Sequence, residues 1–204
     1  MMEGMLFDMI YHEHMSYISV TALDHLLGRH GLKIFDVEHA PTHGGSLRVF
    51  IEKEHGPYST GPMPDHLRTL EAQKGCLSLG RYQRFAQQVF QVRQSIIQCV
   101  EGIKSEGQSI AGYGAPAKAS TLINFCGFNH THFDYIVDDN PLKQNWRLPG
   151  GKIPIVSNDQ LAERPTDYVL IFAWNFASEI MEKLAHLKSK GVRFILPLPV
   201  PTVV

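Results

Sequence analysis

Cysteine is scarce. The chain has three, Cys76, Cys99 and Cys126, set far apart and forming no CxxC pair. Neither a zinc site nor a disulfide framework is expected from them, and no metal is assigned. A reducing cytoplasm is the setting this usage fits. An excess of charge is missing too. With 19 basic and 20 acidic residues the formal net charge is -1, which argues against a general nucleic-acid binder with its basic surface. No long apolar run is present. The strongest covers residues 168–174, far below the ~20 residues that cross a bilayer, so no membrane partner is expected. The amino terminus, MMEGMLFDMIYHEH, has no basic start followed by an apolar core, so it does not read as a signal peptide. Repeats and low-complexity tracts are also absent. The 204 residues, 44% hydrophobic and 19% charged, suit one large globular domain, or one domain plus part of another.

What is present divides into three stretches. Residues 1–56 read as a helix, a strand, a tight loop and a returning antiparallel strand. Thr21 is the expected N-cap, Ala22, Leu26 and Leu27 the inward face, and Gly31 the stop. LKIFDV and SLRVFIEK are the strands, turning at His43-Gly44-Gly45. A helix and a strand pair cannot bury a stable core alone. Residues 57–80 are a connector rich in Gly, Pro and Ser, with a short helical piece over 66–73. A long helix is predicted over 79–105, where Phe85, Val89, Val92, Ile96, Val100 and Ile103 recur at three- and four-residue intervals. Within the last stretch, 81–204, strands (109–114, 133–138, 152–156, 167–173, 193–196) alternate with helices (116–125, 158–163, 176–190). That alternation implies an α/β fold with a parallel, Rossmann-like sheet.

Gly112-Tyr113-Gly114-Ala115-Pro116-Ala117-Lys118 lies where a strand turns into a helix and matches GxGxxA. Glycines allow a sharp turn and close approach to a phosphate, and the helix start attracts an anion. Pro116 suits the first helical turn, and Lys118 could add a point charge. Asp138 and Asp139 end the next strand, roughly 20 residues on, where a Rossmann fold places its ribose-binding acid. The pattern favours nucleotide or phosphate binding over a bare tight turn, without separating NAD from a nucleotide sugar. The loop from Asp139-Asn140-Pro141 through Lys143 and Arg147 to Pro149-Gly150-Gly151 is either a ligand contact or an ordinary turn.

Tyr11, His12, Glu13, His14 and Tyr17 gather acid, base and phenol chemistry in one short stretch. Histidine suits proton removal near neutral pH, a carboxylate can orient it, and a phenol can donate to a developing enolate. The His12/His14 spacing could also place both rings on one face for a metal, but no third ligand is evident and Glu13 would face away. His43, beside two glycines and Ser46, is a candidate substrate contact; a plain hairpin turn explains that cluster better from sequence alone.

Together the segments FDMIYHEHMSY, PTHGGSLRVF, GYGAPAKASTLINF, VDDNPLKQ, LPGGKIPI and DYVLIFAWNF resemble the carboxy-terminal portion of the nucleotide-sugar C-methyltransferases, which methylate dTDP-4-keto-deoxysugars at C3. The resemblance covers nearly the whole chain. It implies that residues 1–56 are the terminal elements of an incomplete class I methyltransferase domain, placed before a nucleotide-sugar-binding Rossmann-like domain. It also implies His14 as general base, with Tyr11 and Glu13 lining the same site. Gly112, Gly114, Ala115, Pro116, Lys118, Asp138, His43, Trp174 and Asn175 would be substrate contacts. The complete enzyme uses S-adenosylmethionine. This chain shows neither the Cys-rich module nor the methyl-donor glycine turn that precede these segments in the family, so it is not expected to bind that cofactor alone, and a partner chain could supply the missing half. The rival readings are an NAD(P)-dependent oxidoreductase, supported by GxGxxA with Asp138, and a non-catalytic nucleotide-sugar-binding module.

Overall fold

The computed structural model describes residues 1–204 apart from the side chain of His43. The chain forms two compact units. One comprises Met1 and residues 14–87, the other residues 2–13 and 88–204. The Tyr-His-Glu-His segment, expected inside a 1–56 unit, thus gives its residues up to Glu13 to the second unit.

In the first unit, α1 (Val20–Gly28), β1 (Leu32–Ala40), β2 (Ser46–Lys53) and α2 (Met63–Gln73) enclose one small core. The strands pair antiparallel, with a register shift between Ile34 and Asp36. Val20 and Leu27 of α1, Ile34 and Val37 of β1, and Leu67 of α2 are buried together, with Leu23 packed against them. The inward face of α1 is therefore Val20, Leu23 and Leu27, whereas Ala22 and Leu26 are exposed. The helix starts earlier than expected. Ser19, not Thr21, is the cap and accepts the Ala22 N–H at 3.1 Å. Thr21 lies in the first turn, where its hydroxyl and amide donate to Glu71 of α2 at 2.5 and 2.8 Å, and the Val20 amide does so at 2.7 Å. A carboxylate at a helix amino terminus satisfies amides that the helix itself cannot.

The long helix α3 spans Leu79–Ser105, as its periodicity predicts, with Val92, Ile96, Val100 and Ile103 buried and Phe85 and Val89 half-buried. Its residues from Gln88 onward belong to the second unit. There follow β3 (Ile110–Tyr113), α4 (Ala117–Cys126), β4 (Ile136–Val137), β5 (Ile155–Val156), α5 (Asn158–Glu163), β6 (Tyr168–Ile171), α6 (Ala177–Lys183), α7 (Ala185–Lys188), β7 (Arg193–Leu196) and β8 (Thr202–Val203). The predicted helix over 176–190 is two short helices broken at Leu184 and preceded by a 3-10 turn over Trp174–Phe176. The sheet order is β5-β4-β3-β6-β7-β8, parallel throughout except for β8. Every residue of β3 and β6 is buried, as a sheet covered on both faces requires. The chain builds outward from β3 to β5, then returns to lay β6 on the other side of β3. Such a reversal leaves a crevice at the carboxyl ends of the two strands, the position where open parallel sheets bind ligands. Among the described residues, no helix is long and apolar enough to cross a membrane.

Candidate functional site

The glycine loop leaves β3 at this reversal point. Its first glycine serves the sheet. A Cβ on Gly112 would come within 2.6 Å of the Phe172 ring and 2.9 Å of Ile136 Cγ1. Gly114 serves the turn, with φ of +85°, a region that disfavours side chains. Asp138 then braces the loop from behind. It is buried at 7% exposure. Its Oδ2 accepts the Ala115 N–H at 2.7 Å and Lys143 Nζ at 3.1 Å, and its Oδ1 accepts the Asn140 N–H at 2.9 Å. Lys143 also donates to the Ala115 carbonyl at 3.0 Å. The Ala115 amide is thus spent on Asp138, and Pro116, the N-cap of α4, has none to give. The loop's Gly112 and Gly114 amides are likewise taken up, by the Tyr135 and Val137 carbonyls at 2.9 and 2.7 Å.

Beside it opens a cleft of ≈ 330 Å³, lined by Tyr113, Gly114 and Pro116, by Asp138, Asp139 and Lys143, and by residues from Ala173 to Lys183. Lys183 donates to Asp139 at 2.6 Å and to the Tyr113 hydroxyl at 3.0 Å, the Tyr113 hydroxyl donates to Asp139, and Asn158 does so as well. Burial alone would raise the Asp139 carboxyl, but the bonds from Lys183, Asn158 and Tyr113 outweigh it and hold it below the usual carboxylate range. Lys183 is raised in turn: burial lowers it, and its bonds to Asp139 and Tyr113 more than compensate.

The pH dependence of this pair follows from those directions. The depressed Asp139 stabilises the fold above its ordinary value of 3.8, and that contribution is lost as pH falls through the lower folded value. The raised Lys183 contributes below 10.5 and is lost as pH rises through its higher folded value. Both side chains are about half exposed, so the pair is worth at most about 1 kcal/mol. Urea unfolding of the protein and of Lys183→Met should differ by a constant small amount between these limits and converge outside them. A difference that persists into strong acid would show that Lys183 acts by packing alone.

A second polar group gathers at the same end of the sheet. Lys118 of α4 is buried, its ammonium 4.4 Å from the Trp174 ring centroid and donating to Asn175 Oδ1. The Trp174 indole N–H donates to Asp8 Oδ2 at 2.6 Å. Burial raises the Asp8 carboxyl, opposed by the Trp174 bond and the Lys118 charge, and burial lowers the Lys118 ammonium, opposed by Asp8. Three residues along the chain from Asp8, burial followed by the Glu13 and Asp8 carboxylates raises the Tyr11 phenol, so it remains a protonated donor. His12 Nε2 lies 4.0 Å from Glu13 in an exposed pair, and His14 Nδ1 lies 3.1 Å from the Tyr17 hydroxyl.

Residues 41–199 match the C-methyltransferase C-terminal domain model. Over 198 residues, 97% of this chain and 47% of the relative, the sequence is 39% identical to C-methyltransferase NovU of Streptomyces niveus. The chain belongs to the C-methyltransferase family. It spans about half the length of that curated relative and corresponds to the carboxy-terminal portion of the family.

Within this C-methyltransferase portion, the residues singled out by sequence fall into distinct places. Gly114, Pro116 and Asp138 line the cleft, while Gly112 and Ala115 shape it from inside. Lys118, Trp174 and Asn175 come together around Asp8 instead. Tyr11 and Glu13 belong to the second unit and His14 to the first. The predicted contact at His43 lies outside the described residues. Sequence reasoning missed Asp8, Lys183 and the Tyr113 hydroxyl as site groups. Lys183 carries no motif signal, because it is one lysine on an ordinary helix face. Tyr113 stood inside the quoted loop, but a strand residue between two glycines does not announce which way its ring points.

Proposed function

We propose that this chain is the sugar-side part of an S-adenosylmethionine-dependent enzyme that methylates C3 of a dTDP-4-keto-deoxysugar. The observation that carries this reading is the packing of the FDMIYHE segment onto the unit that holds the glycine loop, through Asp8 and Trp174. It makes one structure of two motifs that lie about a hundred residues apart in a chain of the C-methyltransferase family.

The 4-keto group acidifies the neighbouring C3–H, and His14 takes that proton as general base. Tyr11, kept protonated, donates to the enolate oxygen. Glu13 balances the imidazolium that results. Lys118, Trp174 and Asn175 meet the nucleotide sugar, and Asp138 keeps the loop in shape without touching the ribose. In the complete enzyme the methyl group comes from S-adenosylmethionine. The two carboxylates ending β4 are already bonded, Asp138 to the Ala115 amide and Lys143, Asp139 to Lys183. The same bonding weighs against an NAD(P) oxidoreductase, which needs a carboxylate at that strand end turned toward a ribose.

Parallel calorimetric titration of the purified chain with dTDP, NAD and S-adenosylmethionine tests the reading. Heat of binding is expected for dTDP and for neither of the others. Saturable binding of NAD without dTDP would replace this reading with the oxidoreductase.

A further inference from the structure

Asp8 is the most deeply buried acid of the chain, 1% exposed. Its Oδ2 accepts the Trp174 indole N–H, and the Asp8 and Met9 amides also favour its ionised form. Its Oδ1 is buried with no hydrogen-bond partner among the described residues. One residue before it, Phe7 packs edge-on against Phe125 of α4, with centroids 5.5 Å apart. One residue after the 3-10 turn it belongs to, the Ile10 amide closes back on the Phe7 carbonyl at 3.0 Å, and the Tyr11 amide on Met9 at 3.1 Å.

A buried carboxylate is a poor way to gain stability, since an apolar residue of similar size would cost less to bury. What a carboxylate does supply is direction. It accepts one particular indole N–H and senses one particular ammonium, Lys118, so the short turn that follows it sits in one register and not in several. Phe7 alone could not select that register, because an apolar contact is non-directional.

We infer that Asp8 is a positioning residue: through Trp174 and Lys118 it fixes the turn that presents Tyr11 and Glu13 on the second unit. Its importance for chemistry rests on the proposed function above; the anchoring itself does not. Asp8 touches no reacting atom in this scheme. It acts through the turn, and the same network joins that turn to Asn175 and to α4.

The test uses the full chain and does not depend on turnover. Two tryptophans, Trp146 and Trp174, give two indole N–H resonances. In Asp8→Ala the Trp174 indole resonance should shift upfield and exchange at the solvent rate. The Ile10 and Tyr11 amides should exchange more than about tenfold faster, while amides of β3 and β6 keep their protection. Asp8→Asn, which retains an acceptor oxygen, should restore the indole signal and bring exchange to within about threefold of the unaltered chain. Should Asp8→Ala fail to fold, Trp174→Phe, which keeps an aromatic ring but removes the indole donor, must show the same selective loosening of residues 9–13. The inference is overturned if these amides are unaffected, or if protection falls equally across β3 and β6, as for an ordinary core residue. Binding of dTDP to the same samples is measured separately. Absence of binding by the unaltered chain would overturn the sugar-side reading and leave the exchange result standing.

Discussion

Asp138→Ala should cost about 1–3 kcal/mol of the second unit's stability, because it strands the buried Ala115 amide. Ala115 and Asn140 both donate to this carboxylate, and Lys143 bridges it to the Ala115 carbonyl. Of the two amides only that of Ala115 is buried, since Asn140 is exposed, and an unpaired buried donor costs roughly 1–3 kcal/mol. The alanine cannot be rescued by collapse, since Gly114 is pinned between its positive φ and Ala173, whose Cβ lies 2.9 Å from where a Cβ would stand. The thermal unfolding midpoint followed by circular dichroism should drop by about 5 °C. Asp138→Asn, which keeps one acceptor, should lose roughly half as much. The alternative, in which Asp138 is a ribose ligand, predicts the opposite pattern: unchanged melting and lost nucleotide affinity. Unaltered melting of Asp138→Ala would therefore return the residue to the ligand.

The contrast at Asp138 shows where sequence reasoning reaches and where it stops. Alternation of short apolar strands with helices made the parallel sheet legible, because strands buried on both faces have no polar alternation to hide them. The α3 stripe was legible for the same reason, since a single period decides which residues face inward. The glycine pattern located the turn at the end of β3. GxGxxA specifies a backbone bend, and the same bend serves a phosphate or a carboxylate braced from behind. Which of these holds depends on the Asp138 rotamer, set by Lys143 and Asn140 after the fold forms. Tertiary caps were equally illegible. Glu71 accepts the Val20 and Thr21 amides from about fifty residues away, a partner that no local pattern shows. Strand β8 lies among Pro197, Pro199 and Pro201, residues that cannot donate to a strand ladder. Asp8 lies beside the more conspicuous Tyr-His-Glu-His, and its burial and its bond to Trp174, 166 positions on, are what separate it from a surface acid.

The complete enzyme carrying His14→Asn should transfer methyl groups about 10²–10⁴-fold more slowly, the usual contribution of one general base. The deficit should fall on kcat, because the histidine is assigned to a proton and not to the nucleotide. Affinity for dTDP should stay within about twofold, and solvent exchange of the C3 proton, followed by NMR in deuterated buffer without the methyl donor, should be lost together with turnover. Tyr17→Phe provides the matching control. The Tyr17 hydroxyl lies 3.1 Å from His14 Nδ1, so its loss disturbs the ring's orientation and tautomer while leaving a base in place, and its effect should be clearly smaller than that of His14→Asn. The two losses separate chemistry from placement. A large fall in both exchange and transfer for His14→Asn, with a modest fall for Tyr17→Phe, matches a base whose ring is held by its neighbour. If His14→Asn keeps full turnover, proton removal belongs to another residue, and the Tyr-His-Glu-His segment would then serve to shape the site.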